Sequence, residues 1–370
     1  MTHSASESSS KTMMEHLSRL LLTCNSATAE SSAKDDLRFD LNRLGRNEFE
    51  DLLVLAGSNH VLVRGLDAFL NLMRNQGDNA RAIWVESALA VERARIQSAV
   101  AMLKEICEAF HEHSYHVVVI KSLDHWPDIG SDLDLYTDAS PEDVSKLMRR
   151  RFDARIAERS WGDRLARKWN FVIPGLPEAV EIHVGRLGQT GEQQAVATSV
   201  LERARTVFIA NHAFRVPSVS DRLMISSLQR MYRHFYFRLC DVVDTAALSD
   251  AGAIDFEDLR VSAGTASIWE GVATYLAIVS DYVKRYRGSG LDLPEFVRKS
   301  ARFGGEEIHF GRGFLRVPIM PQSARLYGLQ LADVLGKGEL HNGARLSLLP
   351  WLATAAMVRQ KLTGSDKGIW

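Results

Sequence analysis

The chain has 370 residues, 46% of them hydrophobic and 25% charged, values that suit a globular protein with a sizeable core in two or three structural units. With 45 basic against 46 acidic residues the formal net charge is −1, which argues against a protein that coats a polyanion or clings to an anionic membrane. Three widely separated cysteines, Cys24, Cys107 and Cys240, make neither a disulfide framework nor a zinc-ribbon pattern.

The N-terminus, MTHSASESSSK, is polar and lacks the apolar centre of a signal peptide. The best candidate span, Leu348 to Val358, falls short of the ~20 residues needed to cross a bilayer. A soluble cytoplasmic protein without membrane partners is expected. Residues 1–12, rich in serine, read as disordered. From Lys11 to His111 apolar residues recur at three- and four-residue spacing, as in LSRLLL, FEDLLVLAG and VERARIQSAVAMLKEICEAF, which predicts helices. Asp78 or Asn79 is placed to cap the last and longest of them.

The period changes at Tyr115. HVVVI (116–120) is continuous and β-branched, as a buried strand is; after a loop containing Pro127 and Gly130, DLDLYT (132–137) alternates strictly. Ser140-Pro141 opens a helix predicted to run to Arg151. RKWNFVIPG (167–175) and AVEIHVG (179–185) flank a turn and read as a β-hairpin. Helical periodicity returns after Pro217: Ser220 is placed to cap one long helix running past Asp241, and further helices are predicted at 269–286, 321–336 and 346–362. The glycine-rich stretch 302–318 reads as a hairpin or lid.

Chemistry concentrates in the stretch VVVIKSLDHWPDIGSDLDLYTD. Side chains alternate along a strand, so Asp132 and Asp134 share a face, about 7 Å apart, while Leu133 and Leu135 point into apolar packing. Two such carboxylates repel unless a cation joins them, and hard divalent ions such as magnesium prefer oxygen ligands of this kind. Gly130-Ser131 lets the backbone turn closely and offers N–H groups and a hydroxyl to phosphate. Glu181, between Val180 and Ile182, is the polar residue of an apolar strand; if that strand neighbours 132–137, it completes a three-carboxylate cluster.

The Gly-Ser-Asp-Leu-Asp-Leu segment with a third acid on a later strand resembles the polymerase-β nucleotidyltransferase superfamily. The wider layout is similar to an uncharacterised bacterial nucleotidyltransferase family within it, over residues 50–250. The matching positions are Ile120-Lys121-Ser122, Asp132-Leu133-Asp134, Glu181-Ile182-His183 and the helix through Arg233, His234, Arg238 and Asp241. The resemblance implies an α/β (α+β) fold: a small mixed sheet at 113–216, flanked by helical regions at 1–112 and 217–370. It also implies two magnesium ions on Asp132, Asp134 and Glu181, with Lys121, Ser122, Gly130, Ser131, Arg233 and Arg238 around a nucleoside triphosphate, expected to be ATP.

The implied reaction is transfer of a nucleoside monophosphate to a hydroxyl of a small molecule or a protein. Near-neutral charge disfavours a long nucleic-acid acceptor. Lys121-Ser122 stands where the superfamily begins its phosphate-binding helix with Gly-Gly or Gly-Ser. That departure favours a second reading, a non-catalytic binding or scaffold protein. A third reading is adenylylation of a carboxylic acid. Arg230, Arg233, His234 and Arg238 fall at helical spacing and predict one basic face. His125-Trp126 suits either base stacking or loop anchoring, and the histidines of HEHSYH (111–116) fit no common zinc set.

Overall fold

The structure, a computed structural model, describes residues 2–23 and 44–363. Cys24 and the rest of 24–43, read from sequence as part of the helical region, lie outside the described residues. Helix α1 (Thr2–Thr23) buries Met13, Met14, Leu17, Leu20, Leu21 and Leu22. It begins within the stretch whose composition reads as disordered, because extending a helix from an anchored turn costs far less than nucleating one. Then come α2 (Arg46–Ser58), α3 (Leu62–Gln76) and α4 (Asn79–Glu112), the last opened by Asp78, whose carboxylate accepts from the Arg81 N–H at 3.0 Å.

The sheet region follows as β1 (Val117–Val119), β2 (Asp132–Thr137), α5 (Pro141–Phe152), β3 (Arg155–Ile156), α6 (Trp161–Leu165), β4 (Lys168–Val172) and β5 (Ala179–Val184). The strands form one mixed sheet in the order β1-β2-β5-β4-β3, in which β2 and β5 are parallel and every other pair is antiparallel. Leu133, Leu135, Val180 and Ile182 are buried on one face, worth about 1.5–3 kcal/mol each. The opposite face carries Asp132, Asp134, Glu181 and His183, since β2 and β5 pair Asp134 with Glu181 and Tyr136 with His183. Helix α7 (Gln194–Glu202) and the hairpin β6 (Arg205–Ile209) and β7 (His212–Val216) close this part.

The long helix expected after Pro217 is broken. Ser218, not Ser220, caps α8 (Val219–Ser227), which widens into a π turn over Leu228–Arg233 and stops. Phe235 adopts φ +54, Tyr236–Phe237 form strand β8, and α9 (Leu239–Asp250) starts afresh with Asp241 accepting from the Arg238 N–H at 2.7 Å. Helices α10 (Phe256–Thr265), α11 (Trp269–Arg287) and α12 (Glu295–Ser300) follow, then strands β9 (His309–Gly311) and β10 (Phe314–Arg316). The expected 302–318 hairpin is thus present, and β10 also pairs with β8. Helices α13 (Ala324–Gly336), α14 (Leu340–Leu346) and α15 (Leu349–Thr363) complete the chain. Among the described residues no helix is long and apolar enough to cross a membrane.

Helical and sheet regions share one hydrophobic core. The N-terminal helix packs on α11, where the Ser18 and Tyr282 hydroxyls meet at 2.8 Å and Arg287 Nε donates to the Leu22 carbonyl at 2.8 Å. Buried Asn59 ties three segments: its Nδ2 donates to the carbonyls of Leu55 and Gly313, and its Oδ1 accepts from the Leu239 N–H, all at 3.0 Å. Asn59→Ala leaves the Leu239 N–H and Gly313 carbonyl without partners, at about 1–3 kcal/mol for each buried group. Denaturant unfolding is expected to show a loss of about 2 kcal/mol or more.

Candidate functional site

Asp132 is exposed at the start of β2, whereas Asp134, two residues on, is buried. Parallel pairing sets Glu181 beside Asp134, and His183 Nε2 lies 2.9 Å from Glu181 Oε1. Asp134, Glu181 and His183 each place a ligand atom within 4.8 Å of the others, a candidate metal centre. Asp132 lies on the same strand face further out, so a histidine joins the tightest cluster and Asp132 sits at its rim.

Two lysines answer these acids. Lys121 follows β1 with φ +68, a left-handed turn rare for a side-chain-bearing residue, which fits a backbone held under strain at a site. Its ammonium meets Asp134 and stands 3.6 Å from Glu181 Oε1. Lys168 Nζ reaches Glu181 Oε2 at 3.0 Å and Asp163 Oδ1 at 2.8 Å. Burial, reinforced by the charges of Glu181 and Asp132, pushes the Asp134 carboxyl up to about 7 against the pull of Lys121. Burial also opposes ionisation of Glu181, but Lys121, the His183 hydrogen bond and Lys168 hold it well below the usual carboxylate range. Burial brings the His183 imidazole down to about 4 despite Glu181, so the ring is neutral. With Nε2–H directed at Glu181, its buried Nδ1 is a free acceptor without a hydrogen-bond partner.

Ser122 stitches the loop to β2: its Oγ accepts from the Asp134 N–H at 2.6 Å and donates to the Asp132 carbonyl at 3.3 Å. The hydroxyl expected to meet phosphate is therefore engaged by backbone. Among the described residues no helix stands between β1 and β2; the loop is pinned instead by a buried ion network. Asp128 accepts from the Val63 N–H at 2.6 Å and Arg64 Nε at 2.8 Å, Arg64 reaches Asp244 at 2.6 Å, and Asp244 meets His125 Nδ1 at 2.5 Å. His125 thus anchors the loop. Gly130 serves close packing: a Cβ there would lie 2.7 Å from the His60 ring. Ser131 Oγ donates to Asp132 Oδ1 at 2.7 Å.

Every site residue expected from the sequence, namely Asp132, Asp134, Glu181, Lys121, Ser122, Gly130, Ser131, Arg233 and Arg238, lines one cleft of ≈ 700 Å³. The helix break does not remove Arg233 and Arg238 from it, but they reach it from either side of Phe235 rather than from a common helical face. Sequence reasoning missed His60 and Gln229, which also line the cleft, and Lys168, which touches Glu181. Strand alternation could have found Lys168; no local pattern marks the other two. Arg230 is bound to Asp241 at 2.7 Å. A second cavity of ≈ 600 Å³ adjoins the first across Lys121, Gln229 and Arg233 and is lined by Ile120, Leu187, Val196, Ile225, Leu228, Tyr232 and Leu349. His183 and Gln330 face into it, and His183 Nδ1 and Gln330 Nε2 are both buried without partners.

Comparison with protein-family models finds no match for this chain, and comparison with curated proteins finds none.

Burial, followed by the charges of Arg233, Arg230 and Arg238, holds the His234 imidazole well below its usual 6.5. The unfolded chain takes up a proton below that value and the folded chain does not. Stability from this group is therefore full above about pH 6.5 and falls as the pH drops, by up to ~1.4 kcal/mol per pH unit. His234→Gln is expected to flatten the decline of unfolding free energy between about pH 6 and pH 5, measured by urea denaturation.

Proposed function

We propose that this protein is a magnesium-dependent nucleotidyltransferase that moves a nucleoside monophosphate from a nucleoside triphosphate to a hydroxyl of a small molecule. One observation carries the reading: the register that sets Glu181 beside Asp134, with Asp132 on the same face, above a cleft that also holds Arg233 and Arg238. The donor set fits magnesium. The carboxylates are hard oxygen ligands, and burial together with the charges of Glu181 and Asp132 opposes ionisation of Asp134, which a bound cation would favour. Asp132 and Asp134 would hold the metal, which when bound neutralises triphosphate charge and lowers the pKa of a coordinated hydroxyl.

The chain's own residues supply the remainder. Arg233, Arg238 and Lys121 bind phosphate oxygens; for this Lys121 leaves Asp134, and the approach of phosphate supports that exchange. The adjoining apolar cavity takes the body of the acceptor. The acceptor hydroxyl hydrogen-bonds His183 Nδ1, and its oxygen attacks the α-phosphorus as the bond to the β-phosphate oxygen breaks and pyrophosphate leaves. The hydroxyl proton passes to His183, and Glu181 on the far nitrogen stabilises the imidazolium formed. ATP is the first donor to test, and near-neutral overall charge favours a small acceptor over a long nucleic acid.

One observation favours a non-catalytic binding protein instead: Lys121 already neutralises Asp134 and approaches Glu181, as a metal would. Calorimetry separates the two. ATP binding is expected to require magnesium and to vanish in Asp132→Ala/Asp134→Ala. Binding that is indifferent to magnesium and to both substitutions would remove the metal-dependent reading and leave the binding protein. A further variant, His183→Gln, is expected to keep magnesium-dependent ATP binding within about two-fold and to lose ten-fold or more of turnover, the lower end of what a general base supplies.

A further inference from the structure

Three side chains outside the carboxylate cluster converge from distant parts of the chain. His60 lies in the turn between α2 and α3, His125 in the loop between β1 and β2, and Cys240 in the first turn of α9. The two imidazoles and the thiol each place a ligand atom within 4.8 Å of the others. We infer that His60, His125 and Cys240 form a second metal site, selective for a zinc-type divalent ion over magnesium.

The ligand chemistry sets the selectivity. A thiolate and two imidazoles suit borderline-soft ions and are poor partners for magnesium, which prefers oxygen. The spacing agrees with a tetrahedral centre. Zinc–sulfur and zinc–nitrogen bonds of about 2.3 and 2.05 Å at the tetrahedral angle put sulfur and nitrogen about 3.6 Å apart. Cys240 Sγ and His125 Nε2 are separated by 3.6 Å.

The surroundings are those of a built metal site. His125 turns Nε2 toward Cys240 because Nδ1 is held at 2.5 Å by the Asp244 carboxylate, itself anchored by Arg64 at 2.6 Å. A carboxylate on the far nitrogen is how metal-binding histidines are commonly oriented. His60 holds φ +53, strained for a residue with a side chain, and its Nδ1 is buried without a hydrogen-bond partner. Cys240 lies in the first turn of α9, where burial pushes its thiol up while the facing His125 pulls it down, so the metal has to displace the proton. Binding releases the thiol proton to solvent, and the thiolate charge offsets half that of the ion.

His60 and His125 also line the carboxylate cleft, so a fourth coordination position is left for water or for a ligand in that cleft. The inference does not rest on the nucleotidyl-transfer reading, because its ligands and its metal class are different.

The test uses the full chain, stripped by a chelator and titrated with Co2+ under reducing conditions, then back-titrated with Zn2+. We expect one Co2+ per chain to give thiolate-to-cobalt charge-transfer absorption and intense tetrahedral d–d bands, displaced by Zn2+; Co2+ held by the carboxylates gives no charge-transfer band. Cys240→Ser should abolish the charge-transfer band, and Asp132→Ala/Asp134→Ala should leave it unchanged. Because Cys240 is fully buried, the less buried His60→Gln serves as the second variant. With an unaltered circular dichroism spectrum it should bind Co2+ at least about ten-fold more weakly. A folded wild type without the charge-transfer band would overturn the site. So would a band that survives Cys240→Ser, or undiminished affinity in His60→Gln.

Discussion

The parallel pairing of β2 with β5 is the constraint on which the rest of the site depends. Side chains alternate with a period of two, so sliding β5 by one residue would send Glu181 and His183 into the core and bring Val180 and Ile182 to the cleft. Burial of Leu133, Leu135, Val180 and Ile182 on the opposite face forbids that slip. The apolar half of each strand thereby fixes where the charged half stands. Two acids that repel each other are held together because the leucines, valine and isoleucine behind them cannot be exposed.

The charge so concentrated is balanced within the chain. Lys121 is brought over the sheet by a left-handed turn, Lys168 arrives from β4, and the loop that carries Lys121 is fastened by Asp128, Arg64 and Asp244. Buried ion pairs of this kind add little net stability when compared with apolar packing, yet they strongly resist loss of a single partner. Their value here is geometric. Among the described residues no helix stands between β1 and β2, and these ion pairs keep the loop there against α3 and α9.

Much of the sheet was legible because it is locally encoded. The β-branched run between Tyr115 and Lys121, the alternation of DLDLYT, and Glu181 between Val180 and Ile182 are patterns of a few residues, and the three strands they define lie side by side in the sheet. The Ser140-Pro141 helix start is local too. The break at 234–238 was not legible. Its bulky and basic residues satisfy helical spacing, and what overrides them is pairing of Tyr236–Phe237 with Leu315–Arg316, far along the chain. His60 and Cys240 escaped notice for the same reason: each is an isolated residue in a helical region, and only tertiary folding brings them to His125. Ser122 lines the cleft, but its hydroxyl serves the backbone of β2, a partner that side-chain chemistry alone does not disclose.

The packing of α1 against α11 has a consequence for how the molecule can be divided. With the first helix bonded to the C-terminal helical region through Ser18–Tyr282 and Leu22–Arg287, the chain closes on itself around the sheet. The strands and their acids are therefore not an excisable module. Residues 113–216 alone would lose Arg233 and Arg238 from the cleft and Gln330 and Leu349 from the adjoining cavity, and would expose the apolar surfaces that the helices cover. Whatever the cleft recognises is thus recognised by the whole chain.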